Sequence, residues 1–327
     1  MSLNRTASAV IGATLTLAAA AYAPTASAAD LPVKALPKAT PWVLDVHGYA
    51  DFTVASTRVT GGGLYLYNTG YVKQGEVGLS LDIYKNSTGF INSFSVFGGV
   101  WNEFWSSPPA GSRQWQEMDW WLGFTVGFAK YWSFTAQTVQ FNFPGAAPPP
   151  TAYNYDFKLA FNDAFLGGPI VWNPYVDVFY NAAGGSTVVN GVRSGGYRVS
   201  LGVVPTISLA KTTSIPLTIS APTWVTVGPS NFWNRNDGTT NLCGTAGTAP
   251  CALSSLGYYS TGVKGVLSLD SWIPKRLGSW YVKGGVQYYH INNDALLAAQ
   301  VAVGSAPTFA TAKRDIAVTY AGFGFSF

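Results

Sequence analysis

The sequence predicts an all-β protein, a transmembrane antiparallel β-barrel of about 12 strands behind an N-terminal signal peptide. Three observations carry that prediction. Apolar residues recur at every second position: from Val43 to Ala55, Leu44, Val46, Gly48, Ala50, Phe52 and Val54 alternate with Asp45, His47, Tyr49, Asp51 and Thr53. Only 10% of the chain is charged while 15% is aromatic, with 36 glycines, whereas typical soluble domains are about a quarter charged. Much of the surface therefore does not face water. Finally, no run of 18 or more apolar residues follows the leader, so strands rather than helices must do the spanning.

The elements follow in order. Residues 1–28 read as a secretory signal: Arg5 opens it, an Ala- and Leu-rich core runs from Ala9 to Ala20, and Ala26-Ser27-Ala28 supplies small residues for cleavage. Residues 29–41 form a Pro-rich periplasmic lead-in, and 42–327 the barrel. The second strand, Val72 to Tyr84, sets Val77, Leu79, Leu81 and Ile83 against Glu76, Ser80 and Asp82; the fourth sets Trp120, Leu122, Phe124, Val126 and Phe128 against Asp119, Trp121 and Thr125. The sixth opposes Tyr153, Tyr155, Phe157, Leu159 and Phe161 to Asn154, Asp156, Lys158 and Asn162. Shorter patterns run through Pro174–Asn181, Tyr197–Val204, Tyr258–Leu269, Trp280–Ile291 and Ile316–Phe327. Phe90–Asn102, Trp132–Phe143 and Pro216–Val227 are β-rich without clean alternation, and complete an even number. A soluble sandwich or propeller would also show many short strands, but would need a charged outer face.

Links between strands alternate on the whole between longer and shorter. Barrels with both termini in the periplasm have short periplasmic turns and longer external loops, so the odd-numbered links are expected outside. The longest of these, 228–257, carries Cys243 and Cys251. In an oxidising compartment they are expected to form a disulfide closing a small loop; zinc is the weaker alternative, since no third or fourth ligand lies nearby. Asp294 to Val303, in the eleventh link, has a helical composition. It is expected to be a simple capping turn, the alternative being a segment that folds over or into the mouth.

Parity assigns the interior. Asp45, Asp51, Glu76, Asp82, Asp119, Asp156 and Asp177 come from the first seven strands, and Arg198, Lys264 and Lys283 from later ones, with Lys158 the exception. Neighbouring strands follow sequence order, so an acidic wall is expected to face a more basic one and to orient dipolar solutes. The alternative is that these charges pair to hold a narrow barrel closed. Tyr49, Tyr84, Trp121, Tyr175, Phe179 and Tyr289 are expected inside, as a stacking surface or as space-filling. The formal charge of +4 includes Arg5 of the leader, and no basic run suits nucleic acid. Neither a phosphate loop nor a metalloprotease motif is present, and no catalytic residue, metal or cofactor is expected. His47 and His290 are the only histidines, and strand direction puts them at opposite ends.

The last residues, Thr319 to Phe327, place Phe323, Phe325 and Phe327 on one face and end the chain on an aromatic residue. This strand resembles the C-terminal signal of Gram-negative outer-membrane barrels, which the barrel-assembly machinery reads. With the leader and the start Ala29-Asp30-Leu31-Pro32-Val33-Lys34-Ala35, the chain resembles outer-membrane porins, the start being similar to that of alpha-proteobacterial ones. Tyr49-Ala50-Asp51, Gln74-Gly75, Gly98-Gly99-Val100-Trp101-Asn102 and Asp119-Trp120 are similar to stretches of porins of unassigned substrate. The resemblance implies a cell outer-membrane location, surrounding lipid, and passive diffusion of small hydrophilic solutes, and it transfers no ligand residues. A monomer is expected, a trimer being the alternative. A non-conducting adhesion barrel acting through its loops and a lipid-modifying enzyme using His290 are the rival functions.

Overall fold

The computed structural model describes residues 42–67, 69–108, 112–145, 151–184, 195–211, 213, 215–229, 232–233, 243 and 251–327; the stretches expected as a signal peptide and a Pro-rich lead-in lie outside them. The first strand is β1 (Trp42–Ala55), followed by a short inward hairpin, β2 (Arg58–Val59) and β3 (Tyr65–Tyr67). Then come β4 (Val72–Lys85), β5 (Ile91–Trp105), β6 (Trp115–Phe128), β7 (Trp132–Asn142), β8 (Thr151–Phe161), β9 (Tyr175–Gly184), β10 (Tyr197–Val203) and β11 (Thr206–Ser208). The chain closes with β12 (Leu217–Ser220), β13 (Thr223–Val227), β14 (Leu256–Ser268), β15 (Ser279–Ile291), helix α1 (Asp294–Ala302) and β16 (Asp315–Ser326).

Every neighbouring pair in the main sheet is antiparallel, and β1 bonds to β16 as well as to β4, so the sheet shuts on itself and leaves no edge. Its 14 segments make 12 staves. β10 with β11, and β12 with β13, are single staves interrupted at Pro205 and Pro222, whose rings remove ladder donors. The register is the same on both sides of the break: Val203 faces Thr223 and Thr206 faces Ser220. Local hydroxyls cover exposed acceptors, Thr223 Oγ1 donating to the Ala221 carbonyl at 3.3 Å. Strand limits follow the sequence pattern closely, except that β5 runs on past Asn102 to Trp105 and β9 past Asn181 to Gly184.

The outer face is apolar. Leu44, Val46, Val77, Leu79, Leu122 and Val263 are all more than half exposed, in a band of the kind that hydrocarbon covers. At the end of the barrel that holds Trp42 and Phe327 aromatic pairs ring the wall: Trp42 with Tyr84 (5.6 Å), Trp132 with Phe161 (4.8 Å) and Trp280 with Phe325 (4.9 Å), where amphipathic rings suit the interface. This is a transmembrane barrel of the outer-membrane type. Arginine in place of Leu122 is expected to cost about 2–4 kcal/mol; urea unfolding in lipid vesicles reads it, and a midpoint equal to the parent's would place this face away from lipid.

One parity assignment is corrected by a bulge. The β4–β5 register shifts between Asp82 and Tyr84, after which Tyr84 lies opposite Phe94, packs edge-on against Trp42, and belongs to the lipid-side ring rather than the interior. The same extra residue swings Lys85 inward, where its Nζ lies 2.9 Å from Asp82.

Candidate functional site

The outer half of the lumen is filled. The β2–β3 hairpin, α1 and the Phe232-Trp233 pair share one apolar cluster with Tyr258, Tyr289, Ile291, Ile316 and Val318 of the wall. Helix α1 is capped by Asn293, whose side chain accepts from Ala295 N, and is buried from Asp294 to Gln300. The capping turn expected from Asp294 to Val303 is thus a helix folded into the mouth, because its Leu and Ala side chains find apolar partners there. Polar ties hold the hairpin's turn: Trp233 Nε1 donates to the Gly62 carbonyl (2.9 Å) and the Tyr258 hydroxyl to that of Gly61 (2.8 Å). Ser305 Oγ donates to the Leu66 carbonyl at 2.6 Å. Cys243 and Cys251 are joined in a disulfide, Cα atoms 5.3 Å apart, and pack against the same cluster.

Beneath the hairpin hangs Arg58. Its Nε lies 3.0 Å from Glu103 and its Nη2 3.7 Å from Glu117. Its guanidinium stands 5.0 Å from the Trp101 ring, and Gln74 Nε2 donates to Glu103 at 2.9 Å. Sequence reading missed this trio. Arg58 and Glu103 fall in expected links, 56–71 and 103–115, and Glu117, just past the second, precedes the alternation read from Asp119, although Trp101, Glu103 and Trp105, and then Glu117 and Asp119, form one inward series.

The predicted interior residues fall into three groups. In the first, Asp51 receives bonds from Lys283 Nζ and from the Tyr281 hydroxyl (2.7 Å), while the Tyr49 hydroxyl donates to Glu76 at 2.6 Å. Lys264, 5% exposed, interacts electrostatically with Lys283, Asp51 and Glu76. Asp51 and Lys283 meet across an intervening stave, β16, because Gly322 and Gly324 put no side chain between them. A Cβ on Gly322 would lie 3.0 Å from Lys283 Cε, and one on Gly324 2.4 Å from the Tyr281 hydroxyl.

The second group lies on β8, β9 and β10. Gln137 Nε2 donates to Asp156 (2.9 Å), Lys158 Nζ stands 4.3 Å from the Tyr175 ring centre, and the Arg198 guanidinium 4.6 Å from that of Phe179. Asp177 lies directly opposite Lys158. Acidic and basic groups are therefore interleaved here on one side of the barrel. Asp119 and Trp121, on β6, are buried, Trp121 packing with Val139 and Phe141. Tyr175 opens its strand at the same end as Trp42, yet reaches the apolar plug. The staves are staggered, so that successive partners Tyr175, Gly202, Trp224, Ser260 and Tyr289 form one row climbing round the barrel.

The third group is at the mouth that holds Trp42 and Phe327, the one expected in the periplasm: Asp45, His47 and Asp82, with Lys85. His290 is at the other end, its Nδ1 2.7 Å from Asp315, so the two histidines cannot serve one another. Phe323 and Phe327 are exposed, and the backbone N–H and carbonyl of Phe327 both bond to Gly48 at 3.0 Å; the terminal residue is part of the closing ladder.

No family model matches the chain, and no curated protein does. Among solved structures it is similar to an outer-membrane channel from Pseudomonas putida F1, with 9% identity over 89% of this chain and 100% of that one, TM-score 0.46. It is also similar to OprB of Pseudomonas putida, with 10% identity over 87% and 94%, TM-score 0.37. The translocator domain of the autotransporter NalP from Neisseria meningitidis shows 12% identity over 86% and 88%, TM-score 0.36.

Proposed function

We propose that this protein is an outer-membrane channel for passive diffusion of small hydrophilic solutes, drawn here with its extracellular mouth shut by the inward hairpin, α1 and Trp233. One observation carries the reading: the spanning strands keep ionisable groups of both signs inside, at Asp51, Glu76, Asp119, Asp156, Lys158, Asp177, Arg198, Lys264 and Lys283, behind an apolar outer face. Buried charges are costly to keep in a barrel that only has to stand in lipid, whereas along a pore they select what passes. Below the plug the wall turns to Ser80, Ser95, Thr125, Thr135 and Gln137, all partly exposed, a lining that water can wet.

Solutes would then cross between the cluster of Asp51, Glu76, Lys264 and Lys283 and that of Asp156, Lys158, Asp177 and Arg198, each carrying both signs, once the plug withdraws. Tyr49, Trp121 and Tyr175 would narrow the path, and exposed Phe323 and Phe327 would serve the assembly machinery. Planar-bilayer recording of the purified protein tests this. Discrete conductance steps are expected, with Lys264→Glu shifting permeability toward cations and Asp119→Lys toward anions. The packed mouth favours a second reading, a surface or adhesion barrel working through its outer loops, and a barrel that never conducts would select it. Catalysis has no comparable support: His290 is engaged with Asp315 at the outer rim.

A further inference from the structure

Three ligand-bearing side chains at the expected periplasmic mouth lie apart from the interior charges on which the proposed function rests. Asp45 of β1 lies directly opposite Asp82 of β4, and like charges facing each other across an antiparallel pair repel. His47, two residues along the same face of β1, sets its Nε2 3.3 Å from Asp45 Oδ2 and 3.2 Å from Asp82 Oδ2. All three ligand atoms lie within 4.8 Å of one another. A cation is already drawn to them: Lys85 Nζ, turned inward by the bulge, stands 2.9 Å from Asp82 and 3.8 Å from Asp45.

We propose that Asp45, His47 and Asp82 bind a divalent transition-metal ion of the zinc type, with Lys85 as a built-in competitor for the same place. Ligands about 2.0–2.1 Å from a tetrahedral ion stand about 3.3 Å from each other, and the two histidine edges measure 3.2 and 3.3 Å. One imidazole nitrogen with two carboxylates suits zinc and its neighbours. Calcium takes six to eight oxygens and magnesium an octahedral oxygen shell, neither of which this corner offers. The bonded register His47 with Ser80 and Gly48 with Leu79 holds the ligand strands together. Asp45, with 57% of its side chain exposed, is free to turn toward the ion, and a solvent molecule completes the shell. Lys85, half exposed, can swing into water at the cost of one solvent-exposed ion pair.

Isothermal titration of the full-length detergent-purified protein with Zn2+, and separately with Ca2+, decides the matter, and does so whether or not the barrel conducts. One Zn2+ per barrel is expected, with no Ca2+ binding in the same range. His47→Ala and Asp82→Asn should each weaken Zn2+ by more than about tenfold, while Lys85→Ala tightens it about two- to fivefold, the worth of an exposed ion pair. His290→Ala, at the far end, is expected to bind as the parent does. Zinc affinity indifferent to His47→Ala and Asp82→Asn, equal binding of Ca2+, or weaker binding by Lys85→Ala would each overturn the site. If His47→Ala fails to fold, the Asp82 and Lys85 variants still give the answer.

Discussion

Replacing Arg58 by alanine is expected to destabilise the barrel by about 3–5 kcal/mol and to unlock its outer mouth. Arg58 is 3% exposed, and the two carboxylates it serves, Glu103 and Glu117, are 1% and 3% exposed. Without the guanidinium Glu103 stays buried with no cation against it among the described residues, Glu117 loses its contact with the hairpin, and the Trp101 face loses its stacked partner. Gln74 and Trp105 donate to Glu103 but bring no charge. Because Arg58 belongs to the inward hairpin while Glu103 and Glu117 belong to the wall, the lost energy is also lost from the plug's attachment. Urea unfolding in detergent should show the drop, and bilayer recording a larger fraction of time open. Arg58→Lys should recover only part of either effect, since an ammonium cannot reach two carboxylates as the guanidinium fork does. Parent-like stability and gating in Arg58→Ala would remove this residue from any part in closing the mouth.

The second large effect is expected at Lys283. Its ammonium and the Tyr281 hydroxyl converge on Asp51 from two staves away, with 6% and 9% of the Lys283 and Asp51 side chains exposed. Lys283→Met keeps most of the stem's volume and deletes the charge. Asp51 is left with two neutral hydroxyls, those of Tyr281 and Thr53, as its direct partners, and a loss of about 3–5 kcal/mol is expected for breaking a buried pair on one side. Gly322→Ala should reproduce part of this without touching either charge. The new methyl group would press on Lys283 Cε at 3.0 Å and, more severely, on the Phe52 carbonyl oxygen at 2.2 Å. Comparing urea midpoints for the two variants separates the ion pair from the space that lets it form. Unchanged midpoints in both would mean that the bridge across β16 bears no stability.

Much of this could be read along the chain because the spanning strands are written in local code. Each stave alternates by residue, so Asp51, Glu76, Asp119, Asp156, Asp177, Arg198, Lys264 and Lys283 could be assigned an inward side from their neighbours alone. The same rule failed where the backbone breaks it. At the bulge after Asp82 one extra residue sends Tyr84 to lipid and Lys85 inside, and nothing in Asp82-Ile83-Tyr84-Lys85 announces it. Glu103 and Glu117 were lost for a smaller reason: polar residues near the end of a long strand look like loop. Composition marked Asp294–Val303 as helical, but its direction depended on partners some 230 residues earlier, in the Leu64 to Leu66 stretch.

Taken alone, the order of residues determined the closed, lipid-facing barrel, its count of about twelve staves and the side that the cleanly alternating strands turn to water, because a two-residue period and a shortage of charge are properties of short stretches. Only the folded chain decided which interior charges meet, that three outer segments fill the mouth, and that Asp45, His47 and Asp82 converge at the other end. Those contacts depend on stagger, bulges and closure, which set distances between staves far apart in sequence and leave no trace in any one of them.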